Sequence, residues 1–151
     1  MGDRTNAATS NAAVARRWFE EVWNQRREGT VRELMMPTGV GHLEGGTVRG
    51  VEQFLAMRSL LLEAFPDLRI TVENVIANGD DVAVRWNVTG THRGSSLGFT
   101  ATHRPVSFRG MTWLRVQNGR IVEGWDAWNQ GALFAELRAA AERQKTVPPP
   151  G

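Results

Sequence analysis

The chain contains neither cysteine nor tyrosine among its 151 residues, and nearly all of its positive charge is arginine. Without cysteine there is no disulfide, no thiolate nucleophile and no cysteine metal site, so the redox state of the compartment is immaterial. Few groups titrate at moderately high pH, which is why a formal charge of only +2 goes with a sequence pI near 10.3. Basic blocks are missing as well. The arginines are scattered and mostly accompanied by acids, a pattern that does not track phosphates, so no nucleic-acid partner is expected. No apolar run approaches a membrane span, and the N-terminal stretch MGDRTNAATSNAA lacks the apolar core of a signal peptide. A cytoplasmic protein with no membrane partner is the simplest expectation. The three histidines stand far apart with no HxH or HExxH pairing, so no metal site is expected either.

What remains is enough for one domain with a real core. Residues 1–10 are small and polar, and residues 144–151 end in consecutive prolines; both ends are expected to be flexible around a single domain over 11–143. Between Asn11 and Arg27, Val14, Ala15, Trp18, Phe19, Val22 and Trp23 recur at helical spacing. Gly29 is expected to end this helix, and Thr30 to cap a short second one running to Met35 before Pro37. The glycine-rich stretch Thr38–Arg49 reads as a loop or short strand and carries His42 and Glu44. A third helix spans Val51–Phe65, stopped by Pro66. From Leu68 the period changes to two, and in Asp81–Gly90 the residues Val82, Val84, Trp86 and Val88 alternate with polar neighbours, the mark of a half-buried strand. A final helix is expected over Gln130–Arg143. Helices first and a curved sheet afterwards give an α+β fold.

The stretch from Arg104 to Asn129 organises the rest. Two apolar-rich strands meet at Asn118-Gly119, a pair suited to the positive φ angles of a tight hairpin. Asp126 lies late in the second strand between Trp125 and Trp128, where an aromatic setting disfavours its ionised form. Which way it faces depends on the turn, because a one-residue change of register moves a strand to its other face. A two-residue loop sets Asp126 beside Met111 and Trp113. A three-residue loop with a glycine bulge at Gly119 groups it with Gly110, Thr112, Leu114, Val122 and Trp128. The second is favoured, since that face is largely apolar while the other carries Arg115 and Glu123. Trp113, Ile121 and Trp125 then lie on the outer face, where a dimer contact would cover them.

The segments AFPDL (64–68), GDDVAVRWNVTGTHRG (79–94), FRGMTWLRVQNGRIVEGWD (108–126) and GALFAEL (131–137) resemble, in order and spacing, the SnoaL-like polyketide cyclase family of the nuclear transport factor 2-like superfamily. The resemblance covers roughly residues 11–140. It implies a cone: a strongly curved mixed or antiparallel sheet packed on three N-terminal helices plus a C-terminal helix. It also implies an apolar pocket inside and homodimers paired through the outer sheet face. Cyclases of this kind close rings by intramolecular aldol chemistry without a metal or organic cofactor. Their acid/base aspartate falls on Asp126. A second polar position, a histidine in the family, falls on Thr112, which leaves the donor role vacant and makes an anthracycline-type substrate less expected. Many relatives carry an acid where this chain has Asn129.

The residue candidates follow. Asp126 is either the general acid/base or an acid capping the last helix. His42 is expected either to line the pocket as a second catalytic group or to be an exposed loop histidine. His92, in GTHRG, either contacts the ligand or ties down the neighbouring loop; His103 is expected to face solvent. Trp18, Trp86 and Trp128, with Thr112 and Asn129, are candidate substrate contacts, and Trp23 can approach from the first helix. So aromatic a wall suits an apolar or polycyclic small molecule. The expected reaction is cofactor-free cyclisation or isomerisation. The rivals are an epoxide hydrolase or cyclase, a dehydratase, and a non-catalytic ligand-binding or dimerisation module.

Overall fold

The computed structural model describes the backbone of residues 2–146 and the side chains of residues 9–145. Helix α1, Gly2–Arg17, continues without a break into a wider π-helical stretch, Trp18–Asn24. A short helix α2, Glu28–Leu34, leads into strands β1, Met35–Leu43, and β2, Gly46–Arg49, and helix α3 follows over Gly50–Ala64. Strands β3, Arg69–Asn78, β4, Asp81–Thr91, β5, Pro105–Gln117, and β6, Arg120–Trp128, precede helix α4, Gln130–Thr146. All six strands form one open sheet in the order β2-β1-β6-β5-β4-β3. It is mixed, because β1 runs parallel to β6 while the other neighbours are antiparallel. Residues 147–151, most of the expected proline-rich tail, lie outside the described residues.

Alternation decides which face is covered. Along β4 the buried residues are Val82, Val84, Trp86 and Val88, as their period of two predicts. From β5, Val106, Thr112, Leu114 and Val116 are buried on the same side. Against this face pack Trp18, Phe19, Val22 and Trp23 of the first helix, Val31 and Leu34 of α2, and Phe54 and Leu55 of α3. The π-helical winding has a use here. Widening the turns brings positions 18, 19, 22 and 23 onto one side, so four large side chains enter the core from seven residues.

Local boundaries depart from the sequence reading in two places. The first helix starts at Gly2, not Asn11, and the second starts at Glu28, so Gly29 lies inside it. Thr30 does not cap that helix; its hydroxyl donates to Glu21 Oε1 at 2.9 Å. Of the two readings of Thr38–Arg49, a loop or a short strand, the strand is the one found, since β1 has partners on both sides. Pro66 does stop α3, with Phe65 as the capping residue.

The hairpin turn is also different from the favoured one. Gln117 pairs with Arg120, leaving a two-residue loop in which Asn118 and Gly119 both have positive φ, 51° and 76°. This is the arrangement an Asn-Gly pair serves without strain. The extra residue sits further along, where Arg115 faces Glu123 and Val116 faces Ile121, so Val122 is the bulge. The bulge restores the register that a longer loop would have produced. Thr112 therefore faces Asp126, and Leu114 faces Gly124. Ile121, expected outside, is buried among the core residues instead of Val122.

Candidate active site

Between the inner face of the sheet and the helices lies a cavity of about 110 Å³. Its walls are Trp18, Phe19 and Trp23 from the first helix, Phe54 and Leu61 from α3, Trp86 and Val88 from β4, and Phe108, Thr112 and Leu114 from β5. The β1 and β6 side supplies Gly41, Leu43, Gly124, Asp126 and Trp128. Ring packing makes these walls stiff. Phe108 stacks on Trp128 with centroids 4.4 Å apart, Trp86 meets Phe108 edge-on at 6.3 Å, and Trp18 lies 4.9 Å from Phe54.

Asp126 is the sole titratable side chain among the residues lining this cavity. It reaches the inner face because β6 alternates beyond the Val122 bulge, placing Gly124, Asp126 and Trp128 on the cavity side. Burial pushes its carboxyl up from the ordinary 3.8 to about 6, opposed by a hydrogen bond from Thr112 and slightly reinforced by the negative charge of Glu44. The Thr112 hydroxyl lies 2.6 Å from Asp126 Oδ1, and Trp86 Nε1 donates to the same hydroxyl at 2.9 Å. Asp126 has no ion-pair partner among the described residues. A carboxyl poised near neutrality inside an apolar chamber is suited to taking a proton and giving it back.

The structure brings together Asp126, Thr112, Trp18, Trp86 and Trp128, with Trp23 beside them. The other three candidates stand elsewhere. His42 projects from the outer face of β1, where Nε2 lies 2.7 Å from Glu123 Oε2 and the ring stacks on Trp125 at 5.5 Å. Parity explains this: His42 is in register with Trp125, whose neighbours Gly124 and Asp126 are the residues that face inward. Asn129 is exposed and accepts the Ala132 N–H at 3.2 Å, an N-capping contact at the start of α4. His92 is fully buried but outside the cavity, with Nδ1 accepting the Thr102 N–H at 3.1 Å. It ties β4 to the connection before β5, the structural alternative the sequence offered. His103 is exposed, as expected.

The sequence reading gave no site role to Phe19, Phe54 and Phe108, which complete the aromatic wall. Phe108 was within reach, because it shares strand parity with Thr112. Phe54 lies within the expected third helix, but which helix face meets the sheet is a tertiary fact. Among the described residues no group of three or more His, Asp or Glu side chains is placed to hold a metal ion, and no helix is long and apolar enough to cross a membrane.

A sequence model of the SnoaL-like polyketide cyclase family matches residues 13–137. No curated protein matches the chain in sequence. Among solved structures, a protein of Jannaschia sp. CCS1 classed as a SnoaL-like polyketide cyclase superposes with a TM-score of 0.82 at 29% identity, over 88% of this chain and 94% of that one. IdmH of Streptomyces antibioticus, classed as a polyketide cyclase, is 32% identical with a TM-score of 0.74, over 84% of this chain and 97% of its own. AclR of Streptomyces galilaeus, classed as a hydroxylase, is 29% identical with a TM-score of 0.75, over 86% and 96% of the two chains.

Proposed function

The chain belongs to the SnoaL-like polyketide cyclase family, and from that premise we propose that it is a cyclase of a small carbonyl compound with Asp126 as its general acid/base. Family and relatives support a cyclase-type function. The supporting observation for the mechanism is the position of Asp126, alone as a titratable group in an aromatic cavity and held near a pKa of 6. In the ionised form its carboxylate removes a proton from the carbon next to a carbonyl. The resulting enolate attacks a second carbonyl of the same molecule, forming the new carbon–carbon bond, and the alkoxide takes the proton back from Asp126. Atoms balance without any added reactant. The cavity's share of the work is to hold the two carbons close.

The developing enolate oxygen needs a donor. His42 is on the wrong face, and the single Thr112 proton is directed to Asp126. Trp18, Trp23 and Trp128 line the cavity, and this reading assigns the donor to their indole N–H groups. Size narrows the substrate. An engineered cavity of about 150 Å³ accepts benzene, so about 110 Å³ takes roughly one flat, uncharged ring. A polycyclic molecule would insert only its reacting end.

Replacement of Asp126 by Asn tests the reading. With a panel of aryl poly-β-ketoesters, cyclisation followed by chromatography is expected to fall at least about a hundredfold, while tryptophan quenching shows binding retained. Full turnover in the variant would remove Asp126 from the mechanism. Epoxide opening is less well supported, since that reaction wants a second water-activating group and the cavity offers no other ionisable side chain. We also propose that the chain pairs as a homodimer through the outer face of the sheet, where Ile76, Met111 and Trp113 are exposed.

A further inference from the structure

We propose that Thr112 is a positioning residue that, with Trp86 behind it, pins one oxygen of Asp126 and leaves the other, Oδ2, as the atom through which the cavity exchanges protons. The proposal rests on the reading of Asp126 as the acid/base and adds which of its oxygens reacts and what fixes it.

The argument is one of counting hydrogens. An indole Nε1–H can only donate, so in the 2.9 Å contact between Trp86 and Thr112 the hydroxyl oxygen must accept. A hydroxyl carries one hydrogen of its own. Its other partner is Asp126 Oδ1, at 2.6 Å, a separation typical of a hydroxyl donating to a charged carboxylate oxygen. An ionised carboxylate can only accept, so in that form of Asp126 the direction Trp86 to Thr112 to Asp126 is set at both ends. Thr112 is buried, as is Trp86, so water does not compete for these bonds. While Asp126 is ionised, Thr112 is thus unavailable as a hydrogen-bond donor to a ligand.

Three neighbouring strands build the chain. Trp86 is on β4, Thr112 on β5 and Asp126 on β6, with Thr112 directly opposite Asp126 in register. Trp86 faces Gly110, where an added Cβ would come within 2.8 Å of the indole edge and 2.6 Å of the Ala127 carbonyl. That glycine is the space into which the Trp86 ring lies across β5 toward Thr112. The carboxyl of Asp126 is consequently not free to rotate, and only one oxygen is left without a protein donor. The Thr112 hydroxyl cannot change charge in this range. The charge-bearing group in the cavity is Asp126 alone, so the same carboxyl must both remove and return the proton.

The test reads the carboxyl directly and needs no substrate. Protein labelled with 13C at the aspartate carboxyl is titrated by NMR, the Asp126 resonance being the one lost in Asp126→Asn. In Thr112→Val, of similar shape but without the hydroxyl, the Asp126 midpoint is expected to rise by about one pH unit, the worth of a lost charge-assisted bond. Thr112→Ser keeps the hydroxyl and is expected to restore the midpoint, while Trp86→Phe gives a smaller rise. If Thr112→Val does not fold, Thr112→Ala removes the same donor. An unchanged or lower midpoint in the hydroxyl-free variant, or failure of Thr112→Ser to restore it, overturns the proposal. The outcome is separable from that for Asp126→Asn: a raised midpoint together with full turnover of Asp126→Asn would keep the pinned carboxyl and discard its catalytic role.

Discussion

At the scale of single residues, the feature that matters is that Asp126 holds its proton more tightly in the folded chain than in the unfolded one. Its pKa moves from 3.8 to about 6, so its contribution favours the folded state fully below pH 3.8 and is lost as pH rises through about 6. Above that range the buried, ionised carboxyl costs about 3 kcal/mol. Asp126→Asn is therefore expected to be more stable than the parent by up to about that amount at pH 8 and nearly equal to it near pH 4, in urea unfolding at the two pH values. Equal midpoints at pH 8 would show that the carboxyl is not desolvated. With Asp126 as the proposed base, turnover should run the opposite way, rising with pH through about 6 as it ionises, so the proposed role would be held at the expense of stability. The sequence exposed Asp126 because an acid between two tryptophans is conspicuous. It left His42 open between pocket and exposed loop, because a histidine's face is fixed by which strand pairs with it, and the parallel partner β6 lies about eighty residues away, as the pairing of His42 with Trp125 shows.

At the scale of elements, strand parity was readable and bulges were not. The alternation in β4 gave its buried face directly. The face of Asp126 was also inferred correctly, through a turn that does not exist: Asn118 and Gly119 form a two-residue loop, and the compensating bulge falls at Val122, a β-branched residue that looks like any strand position. The π-helical winding of Trp18–Asn24 left no mark either, since it changes only how four apolar side chains share a face. His92 shows an element held by a single ring. It receives the Thr102 N–H on Nδ1, lies between Phe65 and Phe99, and its backbone pairs with Arg104 and His103. Because Nδ1 accepts, the proton sits on Nε2, which is buried without a partner among the described residues. Burial lowers the pKa of His92 below the ordinary 6.5, opposed by the Gly94 backbone and aided by the neighbouring His103. The neutral ring thus stabilises the fold above pH 6.5, and that stabilisation is lost as pH falls below it. Amide exchange across residues 92–104 is expected to accelerate on acidification before the sheet opens, and His92→Gln, which keeps an acceptor but cannot titrate, should flatten the response. Uniform protection down to pH 4 in the parent would contradict this.

At the scale of the whole molecule, the two faces of one sheet do different work. The inner face carries the cavity; the outer face carries a cross-strand row, Ile76, Ala83, Trp113, Trp125 and His42, that runs through five of the six strands in register. Ile76 is 67% exposed, Trp113 49% and Met111, in the adjoining row, 59%. Beside them Asp81, Arg115 and Glu123 form a charged row, with Arg115 3.6 Å from Asp81 and 3.9 Å from Glu123 and its guanidinium over the Trp125 ring. Aromatic and methionine side chains next to balanced charges are what a self-complementary interface uses, and a patch of this kind is costly to leave in water. If the proposed homodimer forms here, sedimentation at micromolar concentration will give twice the chain mass, and Trp113→Glu or Ile76→Glu will shift the protein to monomer. Because the substituted side chains point away from the cavity, the Asp126 midpoint near 6 should survive in both. A parent chain that sediments as a monomer would remove the pairing proposal and leave the proposed acid/base role untouched, since nothing from a second copy is required to build the cavity.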